Sequence, residues 1–133
     1  MRILFVCKHN RFRSKIAEAY FKKINKNKRI KVASAGVFKG YPTEPVVVKI
    51  GKKFGLNIQR RTKGLNEEEI YKIDLLVIVA NDVPDSLFKR KVKRIIVWKI
   101  PDTTQDNINR IEEITKNIIK RVQILIKQLE NAK

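Results

Sequence analysis

Cysteine and histidine are almost absent from this chain, with one of each among its 133 residues. A single cysteine excludes an intramolecular disulfide, and a single histidine excludes a histidine cluster for zinc or iron, so no metal site is expected. No apolar run approaches the length a bilayer demands, and Met1-Arg2 passes straight into a short strand-like run without a signal-peptide pattern. A soluble, cytoplasmic protein without membrane contact is the expectation. Internal repeats, low-complexity tracts and linkers are missing as well, and the length suits one compact domain but not two, so residues 1–133 read as a single domain.

Acidic residues are also scarce, 13 against 31 lysines and arginines, for a formal net charge of +18. Such a charge draws phosphates, nucleic acid or an acidic partner by long-range attraction without saying which. The basic residues are dispersed through Lys22–Lys31, Gln59–Lys63, Lys89–Arg94 and the last helix, with no interleaved aromatics of the kind that stack on RNA bases. A lysine- and isoleucine-rich composition of the heat-adapted type produces the same balance. A solvated surface is therefore favoured over nucleic-acid binding, and a monomer is expected.

What is present is a regular alternation of apolar patterns. Arg2 to Val6 is a short continuous apolar run, as in a strand buried on both faces of a parallel sheet. From Ser14, residues Ile16, Ala17, Tyr20, Phe21 and Ile24 repeat at helical spacing, with Lys15, Glu18, Lys22 and Lys23 on the other face and a break at Asn25 to Lys28. A second strand fits Ile30 to Ala35, closed by Gly36. A second helix fits Glu44 to Phe54, entered through Thr43 with Pro45 in its first turn and stopped at Gly55. Leu75 to Ala80 is the clearest central strand and Ile95 to Trp98 a fourth. Ile108, Ile111, Ile114, Ile118, Val122, Leu125 and Leu129 mark one face of a long closing helix. Strands alternating with helices predict an α/β fold, an open four-stranded parallel sheet with helices on both faces and right-handed crossovers.

In such a sheet ligands sit outside the carboxyl ends of the strands, which directs attention to CKHNRFRS, the connection from Cys7 to Ser14. Backbone N–H groups of this loop and the positive end of the following helix can converge on one small oxyanion. Arg13 adds a planar fork able to hold two oxygens at once. By position alone Cys7 reads as a small buried hydrophobe at the end of an apolar strand. The residues after it favour a nucleophile instead, because a helix amino terminus and a nearby guanidinium both favour thiolate over thiol. Ser14 can donate its hydroxyl to that sulfur, and Asn10 is a residue type that tolerates left-handed backbone where glycine is absent. Lys8, His9, Arg11 and Phe12 complete the loop. With Phe38 and Tyr41 they are candidate pocket walls, although the last two fit ordinary loop packing equally well.

These residues carry a resemblance. CKHNRFRS matches a Cx5RS loop, and SKIAEAYF, the SAG at Ser34 to Gly36, GLNI at Gly55 to Ile58, DLLVIVAND from Asp74 and IPD at Ile100 to Asp102 follow in order. In these landmarks, which span nearly the whole chain, the sequence resembles the low molecular weight protein tyrosine phosphatase superfamily, which includes thioredoxin-coupled arsenate reductases. The resemblance implies a flavodoxin-like three-layer fold and two-step phosphoryl transfer without a cofactor. Cys7 attacks phosphorus, Arg13 and the loop amides hold the equatorial oxygens, and Asp102 protonates the leaving oxygen and then activates water. The implied substrate is a phosphotyrosine protein or a small aryl phosphate. An aspartate ahead of a helix is often only its cap. Asp102, however, follows the last strand and emerges on the same sheet edge as Cys7, whereas Asp106 is the more natural cap for a helix starting near Asn107.

The chain also departs from the family pattern. His9 and Phe12 stand where many relatives have glycine and a second cysteine, and Thr103 and Thr104 follow Asp102 where phosphatases usually have proline and aromatics. Arg61 occupies the place of a histidine that supports the loop, either as a substitute donor or as surface charge. Thioredoxin-coupled arsenate reduction needs further cysteines and is excluded within one chain. Arsenate reduction with an external thiol needs only one cysteine and stays open as the alternative, followed by a non-catalytic basic binding module.

Overall fold

Arg2–Cys7 forms β1, a strand buried from Ile3 onward. Its alternation feeds two cores: Ile3 and Phe5 face one layer, Leu4 and Val6 the other. The computed structural model describes residues 1–132, so the last residue of the predicted domain, Lys133, lies outside the described residues. After β1 come α1 (Arg13–Ile24), β2 (Lys31–Gly36), α2 (Pro45–Lys53), α3 (Glu67–Ile70), β3 (Leu75–Val79), β4 (Arg94–Trp98) and α4 (Ile108–Asn131). The four strands form one sheet in the order β2-β1-β3-β4, and every pairing is parallel. The predicted α/β architecture is therefore the observed one.

The two faces are covered unequally. On one, α1, α2 and α4 pack Ile16, Phe21, Val47, Ile111, Ile118 and Val122 onto Phe5, Val77 and Trp98. On the other, the cover is short: Ile70 of α3 and Val83, Phe88 and Val92 of the β3–β4 connection close over Leu4, Val6 and Ile78. Neither α3 nor the 3-10 turn at Asp85–Leu87 is long enough to show a period, which is why only the longer elements are predicted from sequence.

Three local expectations are corrected. Lys15 does not share the solvent face with Lys22 and Lys23, because it is buried at the start of α1. Asp106 does not cap α4; the Asn107 side chain does, accepting from Arg110 N at 3.2 Å. Thr43 is not the cap of α2, which begins after Glu44, and the Thr43 hydroxyl is buried without a hydrogen-bond partner. Gly55 ends α2 in left-handed backbone, φ 74°, as its residue type predicts.

The strand order positions the site. The chain leaves β1 for β2 on one side and then crosses to β3 on the other, so the direction of winding reverses at β1. The crevice at its carboxyl end, next to the ends of β3 and β4, is where an open sheet binds ligands.

Candidate active site

Cys7 is the last residue of β1 and Arg13 the first of α1, which leaves five residues to reverse the chain. Asn10 makes the turn possible by adopting φ 58°, the one positive φ among the described residues that is not glycine. Its side chain locks the turn: Nδ2 donates to Ser14 Oγ at 2.8 Å and Ser34 Oγ at 3.0 Å, and Oδ1 accepts from Lys63 N at 3.0 Å. Ser34 in turn donates to Glu18 Oε1 at 2.6 Å. Both amide hydrogens of Asn10 are thereby used, and Ser14 Oγ accepts one of them. The hydroxyl hydrogen of Ser14 is left for Cys7 Sγ, 3.0 Å away.

Lys15 supports this network from below. Its ammonium donates to Gln59 O at 2.7 Å and to Arg61 O, tying α1 to the segment that carries Lys63 N to Asn10. Burial pulls Lys15 below the ordinary lysine value, against Glu18 and Cys7, which pull it upward. Arg61 contributes its carbonyl to this contact while its side chain is exposed, so the donor that supports the loop here is Lys15 and not the Arg61 guanidinium.

Arg13 is only 2% exposed. Nη1 donates to Ile100 O at 2.9 Å, and Nη2 lies 3.1 Å from Asp82 Oδ1 and 3.7 Å from Asp102 Oδ2. The ends of β1, β3 and β4 are therefore joined through one guanidinium. Sequence reasoning passed over Asp82, although it closes the DLLVIVAND run and follows a strand that ends on the same sheet edge as Cys7.

A cavity of about 450 Å³ opens above these groups, lined by Cys7, His9, Arg11, Phe12 and Arg13 from the loop and by Glu44 and the Asp102-to-Asp106 stretch opposite. Cys7 and Asp102, 95 positions apart in the chain, thus line one space. Phe12 is 2% exposed and belongs to the core as well as the wall. Asn10 and Ser14 stand behind the sulfur, and Lys8 is exposed outside the cavity. Phe38 and Tyr41 do not line it. The opposite wall is instead Thr103, Thr104 and Gln105, so the space above Cys7 is polar.

A family model described as low molecular weight phosphotyrosine protein phosphatase matches residues 2–133. The chain belongs to this family. No curated protein matches it. Among solved structures it is similar to a YwlE mutant from Bacillus subtilis, with 25% identity over 98% of this chain and 99% of that one and a TM-score of 0.84. A low molecular weight protein tyrosine phosphatase from T. tengcongensis shares 26% identity over 96% and 99% of the two chains, with a TM-score of 0.82. An arsenate reductase from Archaeoglobus fulgidus shares 26% over 94% and 98%, with a TM-score of 0.75. The low molecular weight phosphatase fold thus has phosphatases and arsenate reductases among its structures similar to this chain, and the family's loop cysteine is present as Cys7.

Proposed function

We propose that the protein is a phosphomonoesterase of the tyrosine-phosphatase type, working through a cysteinyl-phosphate intermediate. The observation that carries this reading is the shared cavity lined by Cys7, Arg13 and Asp102, with Arg13 Nη2 3.7 Å from Asp102 Oδ2. In the first step the Cys7 thiolate attacks phosphorus in line; the S–P bond forms as the bond to the leaving oxygen breaks, and Asp102 gives that oxygen a proton. In the second, Asp102 takes a proton from water, water attacks phosphorus, and the S–P bond breaks to return the thiolate and release inorganic phosphate.

The surrounding residues have matching tasks. The Ser14 hydroxyl hydrogen stabilises the sulfur anion before attack and after departure. Lys8, His9, Asn10, Arg11 and Phe12 supply the backbone N–H groups of the loop, and Asn10 holds its curvature. These dipoles and Arg13 meet the charge that develops on the equatorial oxygens, so the chemistry needs no cofactor. Arg13 can retain Ile100 O through Nη1 while Nη2 exchanges a carboxylate for phosphate. Asp102, 3.7 Å from the same Nη2, is then within reach of the leaving oxygen.

Hydrolysis of a small aryl phosphate, abolished in Cys7→Ser with the fold retained, tests the proposal; hydrolysis that survives Cys7→Ser defeats it. A second reading is favoured by the polar residues of the cavity: arsenate held in the same place condenses with the Cys7 thiol with loss of water, and two equivalents of an external thiol reduce As(V) to As(III), leaving as a disulfide and returning the Cys7 thiol. Arsenate turnover that depends on added thiol, without phosphatase activity, selects this alternative.

A further inference from the structure

Next to the Cys7 cavity lies a second opening, lined by His9, Arg11, Lys39, Gly40 and Tyr41. His9 and Arg11 line both, so the two spaces meet across the outer rim of the loop. The segment that builds the second opening is held firmly. Val37 N donates to Cys7 O at 2.9 Å, Phe38 N to Lys8 O at 3.0 Å and Gly40 N to His9 O at 3.2 Å. Arg11 Nε donates to Tyr41 O at 3.1 Å and Thr62 Oγ1 to Gly40 O at 2.6 Å. The approach is close enough to require glycine, since a Cβ on Gly40 would stand 2.7 Å from His9 O and 2.8 Å from Arg11 Cγ.

On this fixed backbone two aromatic rings face solvent. Tyr41 is 82% and Phe38 60% exposed, with the Phe38 ring centroid 6.2 Å from that of His9. A frame already ordered by its own hydrogen bonds offers such rings to a partner with little further loss of entropy. The charges of the two spaces also differ. Glu44, Asp102 and Asp106 line the Cys7 cavity, whereas the second opening has His9, Arg11 and Lys39 on its walls and no carboxylate; Arg11 Nη2 is paired with Glu44 Oε1 at 3.1 Å, so Lys39 is the cation a ligand's carboxylate meets there.

We propose that the second opening is a subsite for a carboxylate side chain flanking the phosphorylated residue of a protein substrate, with the Tyr41 ring packing against the adjacent peptide. This rests on the phosphatase reading above and extends it from a phosphate to an acidic phosphoprotein segment. A small aryl phosphate occupies the Cys7 cavity alone, so the subsite is invisible to it.

The test compares three substrates: a small aryl phosphate, a phosphotyrosine peptide flanked by glutamates, and the same peptide flanked by glutamines. The acidic peptide is expected to exceed the neutral one in kcat/KM by about fivefold at low salt, the size that partly exposed ion pairs supply, with the advantage fading as salt is added. Lys39→Glu should erase that advantage, and Tyr41→Ala should lower kcat/KM for both peptides, each leaving the aryl phosphate unchanged. Equal rates for the two peptides, or variants that slow all three substrates alike, overturn the subsite. Failure to hydrolyse any of the three removes the phosphatase reading itself, a result distinct from an absent preference.

Discussion

The guanidinium of Arg13 and the carboxylate of Asp82 lie 3.1 Å apart, with the arginine side chain 2% exposed and the aspartate side chain 36% exposed. A buried cation needs a countercharge, and Asp82 is the nearer of the two carboxylates that supply it. Asp82→Asn should therefore destabilise the protein by about 1–2 kcal/mol, below the full cost of breaking a buried pair because solvent screens the aspartate. Inorganic phosphate should recover much of that loss by taking the carboxylate's place on Nη2. Thermal unfolding of Asp82→Asn with and without phosphate measures both effects, and equal phosphate stabilisation of variant and wild type counts against the exchange.

Asp102→Asn should slow hydrolysis strongly for leaving groups whose oxygen is basic and only weakly for good leaving groups. Proton donation matters most when the departing oxygen holds its charge poorly. A series of aryl phosphates with graded leaving-group pKa gives the slope directly; parallel losses across the series take the acid role away from Asp102.

At Asn10 backbone and side chain contribute separately. Asn10→Gly keeps the φ 58° conformation at no steric cost but loses the contacts to Ser14, Ser34 and Lys63, whereas Asn10→Ala loses the same contacts and strains the backbone. The alanine variant should be the less stable by about 1 kcal/mol, the penalty for placing a Cβ in left-handed backbone. Urea unfolding of the pair isolates that difference.

Lys15 should leave a signature in the dependence of stability on pH. Burial, the chief cause, lowers its folded-state pKa below the ordinary lysine value, so the unfolded chain holds the proton more tightly. As pH rises through the interval between the folded and unfolded values, the folded state gains relative to the unfolded one. The stability of wild type minus that of Lys15→Met should accordingly increase as pH climbs toward 10.5, because methionine removes the titration along with the contacts to Gln59 and Arg61. A flat difference across that interval contradicts the burial-driven shift.

These predictions divide by the kind of information behind them. β1, β3 and β4 were legible because an apolar run long enough to cross a buried sheet has few other uses, and α4 because seven apolar residues keep helical spacing from Ile108 to Leu129. The left-handed turn at Asn10 was legible for a local reason, since few residue types accept positive φ. Lys15 was misplaced because helical periodicity puts it with Lys22 and Lys23; its burial depends on two carbonyls 44 and 46 residues away. Asn107 displaced Asp106 as the α4 cap by a one-residue shift of the helix start, which side-chain type alone cannot resolve.

The sequence by itself determined the elements, the parallel architecture and the loop from Cys7 to Ser14, because these follow from chain stiffness, residue shape and apolar spacing over a few neighbouring positions. Only the tertiary structure decided that Asp82 holds Arg13 across 69 residues, that Thr103 to Gln105 wall the cavity in place of Phe38 and Tyr41, and that a second, acid-free opening lies beside it. Those arrangements depend on how strand ends and loops distant in the chain are brought together by the sheet, and no local preference encodes that distance.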